Sequence, residues 1–352
     1  MEYALTNPTG ILALPTTQPR CAVLVLSGSS GRVETDRVRL LASHGAAALS
    51  LRWFGDQSSD TAQPPGICEI LLETFTPALE QLAGYSDHLA VIGASKGAEA
   101  ALLLAAHDAR IRTVVALSPS SVVWANVGPG LDGREFPPRS SWTRAGTPLP
   151  FVPYDQAWHD TRTQAATTTQ GAGPPLFRTL YEQSLTTFAD HVPAATIPVE
   201  SIRGEVLLSA GGDDQVWPSD VFARDILTRR DAVGLTTTYV TLPAAGHRLQ
   251  LPGEPAPGGG ATMARGGSPA ADRELGEALW ARLCTALRLS GGTKRLTGHP
   301  ALCALSLTPG DFTHLAMSGC KLSTTITRIL TMTVRPKRPT RRPEMRCRRY
   351  SA

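Results

Sequence analysis

Val91-Ile92-Gly93-Ala94-Ser95-Lys96-Gly97-Ala98-Glu99-Ala100 sets Gly-x-Ser-x-Gly between an apolar run and a helix-forming run. This is the layout of a nucleophile elbow, a strand-to-helix turn that admits only small neighbours and lifts the serine hydroxyl clear of the backbone. It also sets Ser95 at a helix N-terminus, where unpaired N–H groups favour negative charge. The plain alternative is a glycine-rich turn with an ordinary serine, and the flanks decide between the two. His88–Ile92 is a short β-prone run after a turn at Gly84-Tyr85-Ser86-Asp87, and Gly97–Ala109 is rich in Ala and Leu with no further Gly or Pro. A strand before and a helix after are what the elbow requires, so Ser95 reads as a nucleophile for acyl chemistry.

Outward from the elbow, strand and helix signals alternate. Cys21–Leu26 is a continuous apolar run, as expected of a strand buried on both faces. It opens into the loop Ser27-Gly28-Ser29-Ser30-Gly31. A helix over Glu34–His44 is stopped by Gly45 as a left-handed cap, and Ala46–Leu51 is the next strand. Ile67–Ala83 carries apolar residues at helical spacing, with Pro77 kinking or dividing it. Strands follow at Thr113–Leu117, Gly204–Ala210 and Thr236–Leu242, with a helix opened by Pro218 and running to Arg230. Pro252–Gly267 is a Pro/Gly-rich loop. A last helix has Ser268 as N-cap, Pro269 behind it, the stripe Leu275, Leu279 and Leu283, and an end at Gly291. The alternation predicts an α/β fold: a mostly parallel sheet with helices on both faces, forming one catalytic domain over residues 1–290. Residues 128–198 break the rhythm. They are rich in Pro, Thr and Gly, with one helical stretch at Pro175–Phe188, and read as a short cap-like insertion over one end of the sheet.

A serine nucleophile needs a base within reach, and the base needs an orienting carboxylate. After Ser95 the histidines are His107, His159, His191, His247, His299 and His314. His247, in Ala244-Ala245-Gly246-His247-Arg248 directly after the Thr236–Leu242 strand, is the candidate base, because Gly246 lets the chain turn an imidazole over the sheet edge. Gly211-Gly212-Asp213-Asp214-Gln215-Val216-Trp217-Pro218 supplies the acid. The spacing Gly-x-x-Asp, a bulky residue and then Pro favours Asp214, while Asp213 stays open as the alternative or as a cap for the following helix. The oxyanion hole is expected from the backbone N–H of Lys96 and a second N–H from the first loop, Ser29, with Ser30 next. No Cys/His spacing fits a metal site, and no cofactor is called for. Trp124, Trp142 and Trp217 are read equally as pocket lining or core.

The chain has 352 residues, 42% hydrophobic and 18% charged, enough for a sizeable core. No apolar run reaches the length of a membrane span. Met1–Pro8 has neither a basic start nor an apolar core, and the six cysteines are scattered singly, so a cytoplasmic protein without a secretory leader is expected. Cys21 and Cys68 read as buried small hydrophobes. The net charge of +4 hides a split. Residues 291–352 hold 12 of the 34 Lys/Arg and two of the 30 acids, leaving 22 bases against 28 acids upstream. Residues 291–352 are expected to be a disordered basic tail. Binding nucleic acid through Arg335–Tyr350 is the reading from a different functional class, set against a merely solvated end.

Seven segments occur in an order that resembles a known family: Ser27–Gly31, Leu41–Gly45, Gly93–Gly97, Ser118–Trp124, Ile197–Glu200, Gly212–Pro218 and Ala245–His247. Together they look like the C-terminal catalytic domain of acyl-CoA thioesterases and bile acid-CoA:amino acid N-acyltransferases, over roughly Tyr3 to Leu289. The resemblance implies an α/β-hydrolase fold, a triad of Ser95, Asp214 and His247, and an acyl-CoA substrate. Eukaryotic members carry an immunoglobulin-like domain first, whereas this chain has only about 20 residues there, as a stand-alone form would. No family pattern is found from Gly291 on, as a frame-shifted or mis-annotated extension would produce. With serine as nucleophile the acyl-enzyme would be an oxygen ester, so hydrolysis is favoured over transfer to an amine. Alternatives are a carboxylic ester or dienelactone-type hydrolase, an N-acyltransferase, or a catalytically silent scaffold.

Overall fold

The computed structural model describes residues 1–55, 63–134, 138–157, 174–259, 261–290 and 304–305. Twelve strands are described: β1 Glu2–Thr6, β2 Thr9–Ala13, β3 Cys21–Leu26, β4 Ala46–Leu51, β5 Ile70–Leu71, β6 Leu89–Ala94, β7 Ile111–Leu117, β8 Trp142–Arg144, β9 Thr147–Pro148, β10 Glu205–Gly211, β11 Thr237–Leu242 and β12 Ala304–Leu305. Seven α-helices accompany them: α1 Thr35–Ser43, α2 Thr76–Ala83, α3 Lys96–His107, α4 Arg178–Thr187, α5 Val192–Ala195, α6 Ser219–Asp231 and α7 Pro269–Ala286.

Nine strands form one sheet in the order β1-β2-β4-β3-β6-β7-β10-β11-β12. The six from β4 to β11 run parallel, and the edges are antiparallel. The central strands are buried on both faces, and their side chains divide by parity between two cores. In β3, Ala22, Leu24 and Leu26 join one core, and Cys21, Val23 and Val25 the other. β6 divides likewise, Leu89 and Val91 against Ala90 and Ile92. The period of two follows from the alternating direction of successive Cβ atoms. The first core is covered by α2, α3 and α6 through residues such as Leu79, Leu82, Leu102 and Ile226. The second is covered by α1 and α7 through Val38, Leu41, Leu275, Leu279 and Leu283. The expected parallel sheet with helices on both faces is therefore present.

Three features differ from the sequence reading. The hairpin β1–β2 precedes the first expected strand and pairs β2 antiparallel to β4. The helix expected over Ile67–Ala83 forms only from Thr76, with Pro77 in its first turn, where a missing N–H is harmless. Upstream of it, the Ile67 N–H donates to Val127, Glu69 lies at φ 49°, and Ile70 pairs with Trp142. Partners distant in sequence thus override a helical spacing. The last helix begins on the expected Ser268 cap, whose hydroxyl accepts from the Ala271 N–H at 3.2 Å, but it ends at Ala286, short of Gly291.

The insertion is anchored by aromatic packing. Trp124, Tyr181, Trp217 and Phe222 share a third buried cluster with Val122 and Val152, and Trp124 stacks on Tyr154 at 5.9 Å. The expectation for the tail, residues 291–352, lies outside the described residues apart from the two-residue β12, which pairs antiparallel with β11. Among the described residues no helix is long and apolar enough to cross a membrane. Cys21, Cys68 and Cys284 are buried and unpaired.

Gly93 and Gly97 fix the junction of β6 and α3. A Cβ on Gly93 would overlap the Gly97 carbonyl oxygen, and one on Gly97 would overlap the carbonyls of Leu26 and Ser27. Gly93→Ala is expected to lower stability by at least about 3 kcal/mol, because backbone rather than a mobile side chain must move. Urea unfolding followed by circular dichroism measures this, and a loss near zero would contradict it.

Candidate active site

Ser95 sits between β6 and α3 at φ 55°, ψ −120°, a conformation that L residues rarely adopt and that packed surroundings must impose. Its N–H donates to Leu117 at the end of the neighbouring β7 at 2.9 Å, and its carbonyl accepts from Ala98 and Glu99. Gly28 lies close by: a Cβ there would stand 3.1 Å from the Ser95 Cβ. The glycine-rich loop after β3 and the turn after β6 can therefore approach only because position 28 has no side chain. Lys96 is the first residue of α3, a position whose N–H has no intrahelical acceptor. Ser29 and Ser30 line the same cleft as Ser95.

His247 faces that cleft from the loop after β11. Its Nδ1 is 2.7 Å from Asp214 Oδ2. Asp214 is fully buried: Oδ1 accepts the N–H groups of Val216 (2.9 Å) and Trp217 (3.3 Å), and Oδ2 accepts the Ser219 hydroxyl (2.5 Å). A carboxylate held by so many donors keeps its charge when buried. The His247 backbone is fixed as well. Its N–H donates to Arg265 at 2.9 Å, and its carbonyl accepts the Ser118 hydroxyl at 2.9 Å. Trp217 meets the imidazole edge-on at 6.1 Å. Ser95 and His247 are not hydrogen-bonded to each other in this conformation, and such contacts commonly tighten only when substrate is bound.

The structure thus brings Asp214, and not Asp213, to His247. Asp213 accepts from the Gly267 N–H (2.7 Å) and the Gln215 amide (2.6 Å), and so pins the loop after β10 to the loop before α7. The Gly267 N–H, followed by Gln215, holds its carboxyl below the ordinary value of 3.8. None of the three tryptophans of interest lines the cleft. Trp124 and Trp142 are wholly buried, and Trp217 packs behind His247. The cleft is walled instead by the β11–α7 loop, with Pro257, Ala261, Met263 and Arg265, and no described residue of 128–198 lines it.

One buried group beside the nucleophile is not evident from the sequence. The Lys96 ammonium reaches Glu99 at 2.8 Å, with both side chains shut off from solvent. Glu99 Oε1 also accepts the Trp142 indole N–H (2.7 Å) and the Trp124 backbone N–H (3.1 Å). Burial pushes the Glu99 carboxyl up and the Lys96 ammonium down, and the partner's charge opposes each shift. The i,i+3 spacing on α3 was visible, but a Lys–Glu pair at that spacing normally lies on a solvated face.

With this geometry established, the comparisons with known proteins can be set beside it. Residues 78–288 match the family described as BAAT / Acyl-CoA thioester hydrolase C terminal. The chain belongs to this family. Mouse acyl-coenzyme A thioesterase 6 is 28% identical over 275 residues, covering 75% of this chain and 58% of the mouse protein. Rat acyl-coenzyme A amino acid N-acyltransferase 2 is 26% identical over 253 residues, covering 70% and 53%. The chain thus spans little more than half the length of the curated relatives it matches. A puromycin-hydrolyzing peptidase of Mycobacterium tuberculosis is similar in structure, with TM-score 0.45, 15% identity, and coverage of 79% of this chain and 37% of that one. Among the described residues no group of His, Cys, Asp or Glu is arranged to hold a metal ion.

Asp213 yields a pH test. Because its folded-state pKa is depressed, its ionisation stabilises the fold above about pH 4, and the gain is lost as pH falls through the lowered folded value. Asp213→Asn is expected to cost about 1 kcal/mol at pH 7 and almost nothing near pH 2. Urea midpoints across that range check it, and a cost that stayed constant with pH would contradict it.

Proposed function

We propose that this chain is a serine hydrolase that cleaves acyl-CoA thioesters to the free acid and coenzyme A. The observation that carries the reading is the shared cleft: Ser95, strained on its elbow, opens into the same space as His247, whose Nδ1 is bound to the buried Asp214. Membership of a thioester hydrolase family supports it. In this mechanism His247 Nε2 takes the Ser95 proton as Oγ attacks the thioester carbonyl carbon. The oxyanion is met by the backbone N–H groups of Lys96 and Ser29. Asp214 holds the imidazole in the needed tautomer and stabilises the imidazolium. The tetrahedral intermediate collapses, the C–S bond breaks, and His247 gives its proton to the leaving thiolate. Water, deprotonated by His247, then attacks the acyl-Ser95 ester and releases the acid.

Serine bears on the choice between hydrolysis and transfer. An oxygen ester is a poorer acyl donor to amines than a thioester, which favours water as acceptor over an amino acid. An ester or dienelactone-type substrate remains the second reading, favoured by a cleft in which no described insertion residue forms a wall. The buried, unpaired thiols accord with a reducing, cytoplasmic setting. Nucleic-acid binding through Arg335–Tyr350 concerns residues outside those described.

Intact-protein and peptide mass spectrometry with a fluorophosphonate is expected to place one adduct on Ser95, absent from His247→Ala. Ser95→Ala, His247→Ala and Asp214→Asn should each lower kcat/KM on an acyl-CoA by a factor of about 1,000 or more, and combined variants should lose little beyond the worst single one. Asp213→Asn should stay within roughly threefold of the parent. Turnover of nitrophenyl esters with no turnover of acyl-CoA would select the second reading, and an unlabelled Ser95 would end both.

A further inference from the structure

The cleft that holds Ser95 is lined by four guanidinium groups, those of Arg32, Arg37, Arg248 and Arg265. Two of them have acid partners. Arg37 makes two bonds to Glu254, at 2.6 and 2.9 Å, and Arg32 reaches Glu34 at 2.9 Å. Arg248 and Arg265 have no carboxylate partner among the described residues. Arg248 donates to the Gly259 carbonyl (2.9 Å), and Arg265 to those of Ala261 (2.7 Å), Met263 (3.3 Å) and Gly259 (3.5 Å). A guanidinium has five N–H donors, so these bonds leave most of Arg248 unused. Burial, then the Arg265 and Arg32 charges, drive the Arg248 pKa down to about 10, with only Glu34 opposing. A half-buried cation pressed by other cations attracts an anion, and the planar fork of arginine suits a carboxylate.

Size selects the anion. The cleft encloses about 820 Å³, the volume of a cube roughly 9 Å on edge and typical of a small-molecule site. The pantetheine arm of coenzyme A matches about five residues of extended chain, on the order of 15 Å from sulfur to diphosphate. An acyl group of four to six carbons spans far less. A charge seated within this cleft while a thioester lies at Ser95 therefore belongs to the acyl side.

We propose that Arg248 and Arg265 form an anion site for a carboxylate at the far end of a short acyl group, making this a hydrolase of dicarboxylic acid monothioesters. The proposal rests on the thioester reading of Ser95 and adds the class of acyl group. Arg32, neutralised by Glu34, would steer the anion without binding it directly.

The test compares kcat/KM for glutaryl and pentanoyl thioesters, each on coenzyme A and on N-acetylcysteamine, which has no phosphate. The parent is expected to favour glutaryl by about tenfold or more on both leaving groups. Arg248→Gln and Arg265→Gln should each cut that ratio by about tenfold, and Arg248→Lys should retain an intermediate ratio. A parent ratio near one overturns the proposal and leaves the thioesterase reading standing. So does an equal loss on both acyl groups in the Gln variants, which would make the arginines staples of their loop. A loss confined to the coenzyme A thioesters would assign them to its phosphates and overturn it too. If no thioester is turned over, the thioesterase reading fails, and calorimetry with glutarate against glutaramide judges the anion site. Tighter binding of glutarate, lost in Arg248→Gln, supports it, and equal binding overturns it.

Discussion

The close approach of three backbones at the end of β6 is the constraint on which the site depends. The carbonyls of Leu26 and Ser27, the Gly93 backbone and the first turn of α3 meet where no side chain fits. That contact holds Ser95 at positive φ, turns its hydroxyl toward the cleft and starts α3 one residue later. The conformational cost of such a residue, about 1–3 kcal/mol, is met by the packed sheet around it. β6 is flanked by β3 and β7 and buried on both faces, so the junction has no freedom to relax.

A second layer of contacts carries that rigidity to the other side chains. Ser118, at the end of β7, lies at φ 47°, donates its hydroxyl to the His247 carbonyl and accepts the Trp217 indole N–H on its own carbonyl at 3.1 Å. One residue thus links the strand beside the elbow to the imidazole loop and to the segment bearing Asp214. Behind His247, Gly246 donates to Asp272 of α7 at 2.7 Å. Burial of the Asp272 carboxyl raises its pKa, against the pull of that N–H. Each loop of the site is tied to a neighbouring loop or helix by at least one such bond.

Much of this was legible in the chain itself. The strands whose side chains feed both cores read as unbroken apolar runs, and Ser268, Gly45 and the elbow glycines announced their turns. The order Ser95, Asp214, His247 followed from turns placed after strands. What escaped was set by distant partners. β1 is mostly exposed, with no buried stripe to betray it. Residues Ile67–Leu71 have helical spacing yet are drawn into extended pairing by Val127, Ser140 and Trp142. Arg248 and Arg265 lie in or beside a Pro/Gly-rich loop without periodicity, so nothing local says that they face Ser95.

The Lys96–Glu99 pair has an evolutionary corollary. Losing either member strands a charge in a dry interior, at a cost of about 3–5 kcal/mol, while exchanging both for apolar side chains of like volume is close to neutral. The two positions are therefore locked together: descendants of this chain keep both or change both, and a lineage that alters one must repair the other before the elbow helix can drift. Trp142, whose indole N–H would lose its acceptor, is bound into the same covenant across 43 residues of sequence.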